Sequence, residues 1–126
     1  MKIQLKHWQI LDMTMSCEKK KSFINYKDSS TLELKVSNDF IEDEAFEVIF
    51  HVSIADEEFN LQIQASFNFE LDIIMTEEFK NSHFPKVNAP AIAFPYLRAF
   101  ISNLTLQSGI KPVILPSINF VEFAKQ

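Results

Sequence analysis

The segment Phe59–Leu71, FNLQIQASFNFEL, constrains the fold more than any other part of the chain. Its odd positions (Phe59, Leu61, Ile63, Ala65, Phe67, Phe69 and Leu71) are all apolar, and its even positions are all polar. Successive side chains on a strand point to opposite faces of a sheet, so this segment is a long strand with one dry and one wet face. The preceding run AFEVIFHVSI repeats the pattern with Phe46, Val48, Phe50, Val52 and Ile54, and the short acidic link ADEE suits a hairpin turn. TLELKVS adds Leu32, Leu34 and Val36. At the N-terminus Ile3 and Leu5 alternate, the phase shifts at His7–Trp8, and alternation resumes with Leu11, Met13 and Met15. Such a shift marks a bulge, in which one extra residue reverses the facing. Four strands with hairpin-length links make an antiparallel sheet, with one face wet or against a polar partner.

IMTEEFKNSHFPKVNAP then breaks the alternation and reads as a connector. Proline is tolerated in the first turn of a helix, which places a helix start near Phe94–Pro95. Leu97, Phe100, Ile101 and Leu104 follow at three- and four-residue spacing, an apolar stripe. Gly109 stands where a residue past the helix end takes positive φ. Ile110 supplies the accompanying apolar contact, and Pro112 prevents the helix from resuming. A second short helix starts after Asn119, an N-cap with Glu122 three residues on, and Ile118 and Phe123 are spaced as a hydrophobic staple. The fold class is α+β: a four-stranded antiparallel sheet with C-terminal helices packed on one face.

Composition excludes several functions. At 126 residues the chain forms one domain, residues 1–126, large enough to bury a core unaided. Its one glycine argues against a phosphate-cradling loop, which needs backbone free of Cβ atoms near the ligand. A net charge of −5 argues against a nucleic-acid partner, and the basic run EKKKS at Glu18–Ser22 reads as a solvated loop. The lone Cys17 excludes an internal disulfide and suits a reducing compartment. Neither a signal peptide nor an apolar run of the roughly 20 residues that span a membrane is present, which points to the cytoplasm. His7, His51 and His83 share no ligand spacing, so neither a metal nor another cofactor is expected. Cys17 reads as a small packed side chain, and the acidic runs Glu42–Glu44 and Asp56–Glu58 as solubilising turns, so no enzyme activity is expected.

One segment carries a family resemblance. FPYLRAFISNLTLQSGIKPVILPSINFVEF resembles the C-terminal part of the SecB chaperone family, with Phe94, Pro95, Tyr96, Arg98, Gly109, Pro112, Pro116, Ile118, Asn119 and Phe120 at the matching positions. The resemblance implies a four-stranded antiparallel sheet with helices on one face, assembled as a dimer or a dimer of dimers. It implies a non-enzymatic cytosolic holdase that keeps non-native or precursor polypeptides in an apolar groove for protein export and delivers them to SecA. Some relatives instead protect an antitoxin in toxin–antitoxin systems. Carried over position by position, the client groove falls on Tyr96, Phe120 and Phe123 with Leu32, Leu34 and Val36. Asp12 falls on one acidic SecA-contact position, whereas the other two are Ser16 and Gln62 here. Leu97, Ile101 and Leu104 are assigned to packing or oligomer assembly.

Apolar, aromatic-rich surface suits unfolded chains because burial is non-directional. The alternatives are an interaction or scaffold protein whose apolar helix face is consumed by self-association, and a binder of a small apolar ligand between sheet and helices.

Overall fold

The computed structural model describes residues 1–19 and 30–125, so the basic run is only partly within the described residues. Four strands, β1 (Ile3–Cys17), β2 (Thr31–Glu42), β3 (Ala45–Ala55) and β4 (Phe59–Leu71), form one antiparallel sheet in the order β1-β4-β3-β2. β2, β3 and β4 are a hairpin-connected meander. β1 does not pair with β2; it lies across β4 at the opposite edge, a Greek-key arrangement.

Register confirms the facing that alternation predicts. Val48 opposes Phe67, Phe50 opposes Ala65 and Ile54 opposes Leu61, and all six are buried on one face. β1 contains two bulges, not one. Register shifts between Leu5 and His7, and again between Ile10 and Asp12. Skipping Lys6 brings Trp8 and Ile10 onto the packed face; skipping Leu11 then brings Met13 and Met15 there. Leu11 is therefore the extra residue of the second bulge and is exposed, which corrects the alternation assigned to it.

The connector is more structured than its sequence suggests. Thr76 caps a short helix α1 (Glu77–Lys80), its Oγ1 accepting from the Phe79 N–H at 3.0 Å. A π-helical turn at Phe84–Asn88 leads directly into α2 (Ala89–Gln107), which thus begins five residues before Phe94. The first-turn proline is Pro90. Pro95 lies inside the helix, where it removes the hydrogen bond to the Ala91 carbonyl; Ala91 is exposed, so water can take that bond.

At the other end the helix closes as its sequence predicts. Gly109 has φ +81°, with Gly109 N–H donating to Leu106 O at 3.2 Å and Ile110 N–H to Thr105 O at 3.3 Å, a Schellman closure. The connector then runs to α3 (Phe120–Phe123), where Asn119 Oδ1 accepts from Val121 and Glu122 N–H groups. Between sheet and helices the core is built of rings. Phe46 stacks on Phe69 at 5.3 Å, Phe50 meets Phe67 edge-on, and Phe94 bridges Phe50 and Phe120.

Candidate functional site

The residues assigned to a client groove do not all meet. Leu32, Leu34 and Val36 stand on the packed face of β2, opposite Ile54, Val52 and Phe50, and are half-buried because β2 is a sheet edge that the helical layer covers only in part. Phe120 is a core residue, 4% exposed, with its ring against Phe50, Phe94 and Phe123. It forms the floor beneath α3 and is not itself open. Phe123 is half-buried and shares with Val36, Asn38, Lys86 and Ala124 a surface pocket of about 250 Å³. The edge strand and the last helix thus form the two walls of a shallow, partly apolar groove.

Tyr96 lies elsewhere. It is two residues from Phe94, hence roughly 200° around the helix from the ring that meets Phe120. With Ile92 and Leu106 it forms an outward stripe, these side chains being 51%, 46% and 54% exposed. Leu97 and Ile101 face the opposite way and are wholly buried; Leu104 is half-buried against the same core. The sequence reading places Tyr96 in the groove and Leu97, Ile101 and Leu104 on a packing or assembly face. In the structure the open apolar side chains of α2 are Ile92, Tyr96 and Leu106. Ile92 and Leu106 stand at helical spacing from Tyr96, which is the sequence signal for this stripe.

The outer face of the sheet is polar. Asp12, Gln64, His51 and Lys35 occupy one rung across the four strands, and the shallow basin they line with Glu33, Ser53 and Gln62 measures about 200 Å³. Asp12 is exposed there. Ser16 and Gln62 share its face, opposite Asn60 and Thr14. The basin mixes carboxylates with a lysine and a histidine and is not a uniformly acidic surface.

Two tethers hold the groove in place. Asn38 of β2 donates from Nδ2 to the Pro85 carbonyl at 2.7 Å. The buried Thr105 Oγ1 accepts from Val113 N–H at 2.9 Å while donating to Ile101 O at 2.9 Å, pinning the connector to α2.

Comparison with known proteins agrees with this architecture. The family profile described as "Preprotein translocase subunit SecB" matches residues 1–126. The chain belongs to the SecB family. A 40-residue segment, 32% of the chain and 26% of the relative, is 52% identical to an uncharacterized protein of Methanocaldococcus jannaschii. A 51-residue segment, 38% of the chain and 32% of the relative, is 39% identical to the protein-export protein SecB of Magnetococcus marinus. The match thus spans about a third or less of either relative's length. Among solved structures, a SecB-like chaperone of Mycobacterium tuberculosis, in complex with a peptide from the HigA1 antitoxin, aligns with TM-score 0.71 at 16% identity. That alignment covers 92% of this chain and 87% of that one. A protein of unknown function from Streptococcus agalactiae aligns with TM-score 0.59 at 9% identity over 92% and 98% of the two chains. At these identities the structural matches establish the SecB-like fold. No helix among the described residues is long and apolar enough to cross a membrane.

Proposed function

We propose that this SecB-family protein is a cytoplasmic holdase, and that it binds non-native polypeptide in the groove between β2 and α3. One observation carries the reading: half-buried Val36 on an open sheet edge shares a pocket with Phe123, and Leu32 and Leu34 continue its half-buried apolar row along β2, so apolar side chains already held in place await cover. The apolar part of such a groove binds extended chains without reading their sequence, because burying apolar area is favourable in any orientation. The relative solved with an antitoxin peptide supports polypeptide as the class of partner.

The outward stripe Ile92–Tyr96–Leu106 supports self-association as a dimer or tetramer through α2, in place of a client role for Tyr96. Of the three SecA-contact positions Asp12 alone is acidic, and its rung includes Lys35 and His51, so SecA delivery draws little support from the outer face. A binder of small apolar ligands between the layers draws none, because Phe46, Phe50, Phe67, Phe94 and Phe120 pack that space.

Light scattering during the aggregation of a thermally unfolding client enzyme tests the proposal. The wild-type chain suppresses scattering at stoichiometric excess, and Phe123→Asp loses most of the suppression while its circular dichroism spectrum is unchanged. No suppression by the wild-type chain favours the scaffold reading.

A further inference from the structure

The groove is charged against the trend of the chain. The sequence holds 17 Asp and Glu against 12 Lys and Arg. Yet the pocket between β2 and α3 is lined by Val36, Asn38, Lys86, Phe123 and Ala124. Its neighbour on the far side of α3 adds Val87, Val121, His83 and Lys125. Neither lining contains a carboxylate among the described residues. Lys86 lines both pockets, so its side chain borders them both. It is exposed, and no carboxylate among the described residues lies within salt-bridge distance of it. Lys125 on the same rim is partly neutralised by Glu122 at 3.4 Å.

We infer that the groove selects polypeptide segments in which apolar residues are flanked by Asp or Glu, with Lys86 receiving the carboxylate. The inference rests on the client-groove reading and adds the chemistry of the preferred client. Apolar side chains of the segment cover Val36 and Phe123, and the flanking carboxylate reaches the Lys86 ammonium. An exposed pair of this kind contributes modestly to affinity and more to the choice among clients.

The experiment is fluorescence anisotropy with three labelled, unstructured synthetic peptides sharing one apolar core and carrying Glu, Gln or Lys flanks. The Glu-flanked peptide binds about two- to fivefold more tightly than the Gln-flanked one, the range expected of one exposed ion pair. The Lys-flanked peptide binds most weakly. The preference fades at ~1 M salt, where the screening length falls to about 3 Å. Lys86→Gln removes the preference for the Glu-flanked over the Gln-flanked peptide. Equal affinities, or tighter binding of the Lys-flanked peptide, overturn the inference and leave the groove reading standing. Binding of none of the three overturns both. So does finding the groove occupied by a second copy of the chain, shown by Phe123→Asp converting an oligomer to monomer.

Discussion

Asn38 and Pro85 solve a backbone problem for each other across 2.7 Å. The π-helical turn sends the Ala89 N–H to Phe84 O, and the residue that would next donate to Pro85 O is Pro90, which has no N–H. The Asn38 side-chain amide fills the gap, so the edge strand of the groove is tied to the helical layer. Asn38→Leu leaves that carbonyl without its partner and costs about 1–3 kcal/mol, measurable by urea unfolding. Unchanged stability would show that water replaces the amide without loss.

Thr105 acts in the same way for the connector. Its hydroxyl is the acceptor for Val113 N–H at 2.9 Å in a fully buried position. Thr105→Val preserves shape but leaves that N–H unsatisfied, costing about 1–3 kcal/mol. Thr105→Ser keeps the bond and costs less. Hydrogen exchange at the Val113 amide is the specific readout: it accelerates in the valine variant and stays slow in the serine variant.

Gly109 isolates a backbone effect. At φ +81° an added Cβ meets nothing within 4 Å, so Gly109→Ala introduces conformational strain alone. The expected destabilisation is about 1–2 kcal/mol. A neutral substitution in urea unfolding would mean that the positive φ carries no strain for an L side chain at this position.

Much of this was legible in the sequence, and the misses have physical causes. The strands of β3 and β4, the Gly109 closure and the Asn119 cap are local: alternation, a positive φ and a side-chain acceptor leave their mark within a few residues. Strand order is not local. Period-2 alternation fixes which face a residue occupies but not which strand lies beside it, so β1 beside β4 could not be read from its own pattern. The bulge at Leu11 is hidden because leucine looks like a continuation of the apolar run. The start of α2 is hidden because two prolines compete for its first turn, and Pro90 takes it. Tyr96 and Phe120 are both aromatic positions of one motif, whereas helix geometry turns them to different sides.

A pH effect follows at the sheet's end. Lys2 N–H donates to Asp72 Oδ1 at 2.8 Å, and this bond above all holds the Asp72 carboxyl below the ordinary aspartate range. Because the folded value is depressed, the contribution is present above the unfolded-chain value and is lost as pH falls through the folded one. Site-resolved titration by NMR places the Asp72 midpoint lower in the folded chain than in urea, and Asp72→Asn removes the difference in stability across that window. Coincident midpoints in the two states would contradict the bond's role.

The most direct test of the central claim is methyl-resolved NMR of the intact protein titrated with an unfolded polypeptide. The groove account predicts that the methyl signals of Leu32, Leu34 and Val36 shift together and saturably, while those of the buried Leu97 and Ile101 stay in place. Shifts confined to Ile92 and Leu106 on the outer side of α2, with β2 silent, would contradict it.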